Sequence, residues 1–115
     1  MTSERTDETK PNPTDGLDEV VHQRVRLGIL TVTHTARRVE FGYLLDALEL
    51  TGGNLSQHLR VLEDAGLVRI EKGTHGRKPR TWVTITAQGR RALLSEIAAL
   101  KAIVRSVEGV APPAE

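Results

Sequence analysis

A chain of 115 residues has room for one compact domain with tails, and the absence of cysteine excludes disulfides and thiolate metal sites. No apolar run approaches the roughly 20 residues of a membrane span and the polar start offers no signal peptide, so a soluble, cytoplasmic, nucleoid-associated chain without membrane contact is expected. The net charge of +1 conceals an asymmetry: residues 1–19 carry six acids against Arg5 and Lys10, a local −4, which leaves +5 on the remainder.

Residues 1–16 mix Ser, Thr, Glu, Asp and Pro with almost nothing to bury and are read as a disordered acidic tail; residues 109–115, with Pro112 and Pro113, are read the same way. One domain is expected over 17–108. Its first periodic segment, 18–33, places Val21, Val25, Gly28, Ile29 and Val32 on one helix face, with Val20 and Leu27 as a second stripe about 120° away. A break over 34–40 precedes Phe41, Leu44, Leu45 and Leu48, the i, i+3, i+4, i+7 signature of a second helix. Thr51 is a suitable N-cap for a third helix with Leu55, Leu59 and Leu62 as its core stripe and Gly66 just past its end. A β-type run over 67–71, a loop over 72–80 rich in glycine and cations, and a second strand over 81–85 make a long hairpin. Thr86 caps a last helix reaching Val107. The expected class is mainly α with a small β-hairpin, a winged helix-turn-helix with a C-terminal dimerisation helix over 86–107.

With the core direction of the third helix set by its leucines, Gly53, Gln57, Arg60 and Asp64 fall nearly opposite, and Asn54 lies beside them. The second helix of such a motif enters the major groove with its N-terminal residues at the base edges. Asn54 and Gln57 can pair with adenine through two hydrogen bonds, Arg60 can bind guanine or phosphate, and Ser56 can reach a phosphate oxygen. Gly52 and Gly53 have two readings: close approach of backbone N–H groups to phosphate, or simple accommodation of the turn. His58 sits at the edge of the core stripe, as a packed histidine does. Glu63 and Asp64 would repel phosphate, so contact should fade toward the helix end.

The stretch 69–91 contains seven basic residues and one acid, Glu71. Within it the hairpin loop supplies Lys72, His75, Arg77, Lys78 and Arg80 as a wing for the phosphate backbone or the minor groove. Charge that merely keeps a hairpin soluble is the weaker explanation, because no acid interrupts 72–80. Alternation turns Trp82 outward beside the wing if Val83 and Ile85 face the core. In the last helix Leu93, Ile97, Leu100, Val104 and Val107 alternate four and three residues apart, a heptad seam. Together with Val20 and Leu27 it suits a homodimer, whose two recognition helices would sit about one DNA turn apart on an inverted repeat.

The run from Leu50 to Val68, with Thr51-Gly52-Gly53-Asn54-Leu55-Ser56-Gln57-His58-Leu59 at its centre, resembles the LTxGNLSxHLxxLExAGLV pattern of small MarR-like winged-helix regulators. Gly76-Arg77-Lys78-Pro79-Arg80-Thr81 and Ile85-Thr86-Ala87-Gln88-Gly89-Arg90 are similar to that family's GRxPRT and LTxxGR segments. The resemblance implies a dimeric, sequence-specific regulator of transcription, usually a repressor, with Asn54, Ser56, Gln57 and Arg60 toward the major groove and Arg77, Lys78 and Arg80 on the wing. Gly52 departs from the pattern, where a polar or acidic residue is frequent.

Catalysis is not expected: the chain has no HExxH, nucleophile elbow or phosphate loop, and His22, His34, His58 and His75 lie on separate elements without metal-ligand spacing. No metal or cofactor is called for, and the scarcity of aromatics gives no sign of a pocket for a small-molecule effector. The alternatives from other classes are a chromatin protein that coats DNA without sequence preference and a winged helix used for protein contact. Outward amides on the third helix favour sequence reading.

Overall fold

A computed structural model describes residues 12–109; the tail readings for 1–11 and 110–115 lie outside the described residues. Residues 12–16, assigned to the same tail, instead form turns. Asn12 Oδ1 accepts from both the backbone N–H and the hydroxyl of Thr14, and the Asp15 and Leu17 N–H groups bond back to the carbonyls of Asn12 and Thr14.

The helix expected over 18–33 is two. α1 spans Glu19–His22 and α2 spans Arg24–Ala36, parted by Gln23, whose ψ of 134° is extended. Each start has a side-chain cap: Asp18 accepts from the Val20 and Val21 N–H groups, and Gln23 Oε1 from that of Arg26. The break rotates Val20 relative to Leu27, so the two do not form one stripe on one helix. Both pack partly against the core.

After α2, Arg37 takes a left-handed φ of 72° and turns the chain into β1, Arg38–Glu40, a strand where the sequence pattern shows only a break. α3 (Phe41–Leu48) and α4 (Gly52–Asp64) follow at the expected places. Thr51 Oγ1 accepts from the Asn54 N–H at 3.2 Å, which satisfies one of the free donors at the start of α4. Its other end closes with the Gly66 N–H on the Glu63 carbonyl and the Leu67 N–H on the Leu62 carbonyl, the Schellman pattern. Gly66 carries the φ of +80° that this pattern needs.

β2 (Val68–His75) and β3 (Lys78–Ile85) pair antiparallel from Val68↔Ile85 to His75↔Lys78. The nine-residue loop expected over 72–80 is therefore mostly strand. Only Gly76 and Arg77 lie between the paired ends, and the φ of +67° at Gly76 fits the first central position of a type II′ turn. β1 pairs with the other edge of β3, giving the order β1-β3-β2. That pairing stops at Glu40↔Trp82, so Pro79 sits where β3 has become an edge and its missing N–H leaves no ladder bond unmade.

α5, Ala87–Val107, is capped by Thr86, whose hydroxyl accepts from the Gly89 N–H. The inner sheet face (Val39, Val68, Val83, Ile85) and the helices (Ile29, Leu30, Leu44, Leu55, Leu59, Leu62, Leu93) enclose one core. Each fully buried leucine contributes about 1.5–3 kcal/mol. Helices, hairpin and terminal helix stand in the winged helix-turn-helix order, with one strand more than the sequence suggested.

Candidate nucleic-acid interface

α4 is fixed from beneath by Leu55, Leu59 and Leu62, which are 0%, 2% and 0% exposed. Because these three share one side, Gly53, Gln57 and Arg60 lie exposed on the opposite one, with Asn54 and Ser56 exposed on its flanks. Their groups match what base edges and phosphates present: an amide pair, a hydroxyl and a guanidinium. Neither Gly52 nor Gly53 has a positive φ, and a Cβ built on either meets nothing within 4 Å. The turn into α4 thus requires glycine at neither position.

His58, on the inner shoulder of α4, is half-buried, and its Nδ1 lies 3.3 Å from a guanidinium nitrogen of Arg26. The Arg26 Nε–H in turn donates to the Val20 carbonyl at 2.7 Å, so Arg26 ties α1 to α4. Burial, and then the neighbouring Arg26 charge, lower the His58 pKa below its ordinary value. The neutral ring with a free lone pair on Nδ1 is the form that can accept from Arg26.

The five wing residues divide into two groups. Glu40, from β1, pairs with Arg80 at 2.9 Å and with the His75 ring at 2.6 Å, so these two are held against the sheet. Lys72, Arg77 and Lys78 are exposed and have no ion-pair partner among the described residues. Trp82 lies on the same outer sheet face, with the Arg38 guanidinium 3.9 Å above its ring centre and the His75 ring at 6.4 Å. The sequence carries no signal for Glu40 and Arg38, because their strand is three residues long and has no period to detect.

The helix and the wing meet in one groove. Ser56 and Arg60 from α4 and Lys72 and Thr81 from the hairpin line it, over a floor of Phe41, Leu59 and Ile70. Glu63 lines the same groove and brings a carboxylate to it. Ser56 and Arg60 of α4 and Lys72 of the hairpin thus share one groove.

Not all of the heptad seam expected to meet a second chain is free to do so. Leu93 is 4% exposed and belongs to this chain's own core, and Ile97 packs partly against it. Leu100 is half-buried, whereas Val104 and Val107 are 50% and 79% exposed. Leu94, which lies off the heptad count, is 56% exposed. Leu27 stands at an open apolar cleft with Gly28, Val32 and Leu48. Among the described residues no group of His, Cys, Asp or Glu is placed to hold a metal ion, and no helix is long and apolar enough to cross a membrane.

The sequence pattern of the winged helix DNA-binding domain matches residues 25–104. An uncharacterized protein of Methanocaldococcus jannaschii is 32% identical over 90 residues, which cover 78% of this chain and 98% of that one. The solved structure of a transcriptional regulator homologue from Pyrococcus horikoshii superposes with a TM-score of 0.74 at 33% identity, covering 92% of this chain and 98% of its own. A MarR-family regulator from Enterococcus faecalis shares the fold, with a TM-score of 0.64 at 20% identity over 94% of this chain and 90% of its own.

Proposed function

The chain belongs to the winged helix DNA-binding domain family, and from that premise we propose that it is a sequence-specific regulator of transcription that binds double-stranded DNA as a homodimer. The observation that carries this reading is the shared groove: Ser56 and Arg60 of the recognition helix and Lys72 of the wing line one surface. A major groove about 12 Å wide admits α4 with Asn54 and Gln57 at the base edges, while Arg77 and Lys78 reach phosphates or the neighbouring minor groove.

Two copies joined through the exposed part of α5 would present two such surfaces to an inverted repeat, with half-sites about 34 Å apart. Occupation of such a site within a promoter would exclude polymerase, so repression is the regulatory sense proposed. The protein would then reside in the cytoplasm, on the nucleoid.

Electrophoretic shifts against a selected duplex library test this. A preferred inverted repeat, bound with a steep salt dependence, is the expected result. Equal affinity for every duplex would replace the specific regulator with a DNA-coating protein, and no binding at low salt would leave a protein-contact module.

A further inference from the structure

β1 ends at Glu40, opposite Trp82, so β2 and β3 run on toward the hairpin tip with no third strand beside them. Past that point the Glu40 side chain meets two hairpin residues that are not its ladder partner. Its Oε1 lies 2.9 Å from Arg80 Nε, on β3, and its Oε2 lies 2.6 Å from His75 Nδ1, on β2. The stretch 72–80 contains no acid of its own, so the counter-charge of the wing comes from a strand more than thirty residues earlier in the chain. Among the described residues Glu40 is the one carboxylate that pairs with a wing residue. Glu71, in the same row of the sheet, pairs instead with Arg69.

A carboxylate with one oxygen on each of two basic groups occupies them as the two free oxygens of a DNA phosphate would. Exchanging one such anion for another gains little, so a docking duplex has little reason to displace Glu40. The pair is also not needed to hold the domain together. The Arg80 and His75 side chains are 38% and 69% exposed, and ion pairs so open to water add little to stability. Glu40 takes up the N-cap position of α3 but makes no side-chain cap there, so its carboxylate has no second duty in the helix.

We propose that Glu40 is an internal counter-ion of the wing, which withholds Arg80 and His75 from DNA phosphates and so lowers the affinity of the wing for any duplex. Lys72, Arg77 and Lys78 are then the wing residues left to meet the backbone. Phosphates carry no sequence, so this brake acts on matched and mismatched duplexes alike. Its effect on DNA rests on the function proposed above; the pairing itself belongs to the free protein.

Duplex affinity measured against salt tests this in the parent, Glu40→Gln and Glu71→Gln, the last removing the same charge from the hairpin without freeing a wing cation. Glu40→Gln is expected to bind all duplexes about threefold tighter and to steepen the salt slope by about 1. Adding Arg80→Gln should return the slope to that of the parent, and Glu71→Gln should leave it there. Glu40→Asp keeps the net charge but stops one methylene short of both partners, and should steepen the slope in the same direction. Without DNA, the Arg80 Nε–H resonance should be protected from exchange with water in the parent and lose that protection in Glu40→Gln. Weaker binding or an unchanged slope in both Glu40 variants, or equal steepening by Glu71→Gln, would overturn the brake alone. A parent that binds no duplex at low salt would end the function proposed above, and the brake with it.

Discussion

A Cβ placed on Gly89 would lie 2.1 Å from the carbonyl oxygen of Leu67 and 2.9 Å from Ile85 Cγ1. The first turn of α5 thus rests directly on the backbone that leaves α4, and Thr86 reinforces the joint through its N–H to the Leu67 carbonyl and its hydroxyl to that of Gly66. The joint sets the angle between the recognition helix and the terminal helix. Because the clash is with backbone, it cannot be relieved by a rotamer change. Gly89→Ala is expected to destabilise the fold by about 1–3 kcal/mol, although alanine is the better helix former. Denaturant midpoints measure this; an unchanged or raised midpoint would contradict the close contact.

Gly53 makes the opposite prediction. With open space around its Cβ position and an ordinary helical backbone, Gly53→Ala should leave stability unchanged or raise it by up to about 1 kcal/mol. If a phosphate approaches the α4 N-terminus closely, the same methyl weakens DNA binding. A variant that is both as stable and as tight as the parent would remove Gly53 from the interface.

On the wing, Arg77 sits at the hairpin tip with no partner among the described residues, while Arg80 is tied to Glu40. Arg77→Ala is expected to weaken binding to all duplexes alike and to lower the salt slope by about 1. Gln57→Ala should instead change which sequences are preferred. Affinities measured across a range of salt on matched and mismatched duplexes distinguish the two effects.

His58 predicts a pH dependence of stability. Its folded-state pKa is lowered by burial and by Arg26, so below the ordinary histidine value of about 6.5 the unfolded chain binds the proton more readily than the folded one. The contribution of His58 is therefore complete above that value and is lost as pH falls from it toward the lowered pKa. His58→Gln should flatten this part of the stability curve. A difference between parent and variant that stays constant from neutral to mildly acid pH would count against the assignment.

Leu93 and Val107 fall on the same heptad seam but should respond differently. Leu93→Ala removes a core side chain and is expected to cost about 2–5 kcal/mol of fold stability. Val107→Asp, at a 79% exposed position, should leave the fold intact and shift a dimer toward monomer. Light scattering after size exclusion, together with thermal melts, separates the two. A parent protein that is monomeric at micromolar concentration would end the homodimer proposal.

Features whose causes lie within a few residues are legible in the sequence itself. Thr51 and Thr86 announce helix starts because a hydroxyl three residues ahead of a free N–H can satisfy it. Gly66 announces a helix end because a left-handed residue is needed there. The spacing of Leu55, Leu59 and Leu62 indicates which way α4 faces, and with it the side on which Asn54, Ser56, Gln57 and Arg60 stand. The break at Gln23 is hidden because the apolar period runs through it, although its cause is a local cap.

The features hidden from the sequence involve partners far apart along the chain. β1 exists because β3 supplies the other half of its ladder, and Glu40 meets His75 and Arg80 only once that ladder forms. Glu96 is 1% exposed within α5, where it accepts from the Asp18 N–H and pairs with His22; nothing in the α5 sequence indicates that burial. A heptad count likewise cannot say whether Leu93 serves its own core or a second chain, since both bury the same stripe. The places of α3, α4 and α5, the caps of the last two and the outward face of α4 follow from contacts about one helical turn long. Packing decided the length of the wing and which wing cations are free, because those contacts come into being only when the distant segments meet.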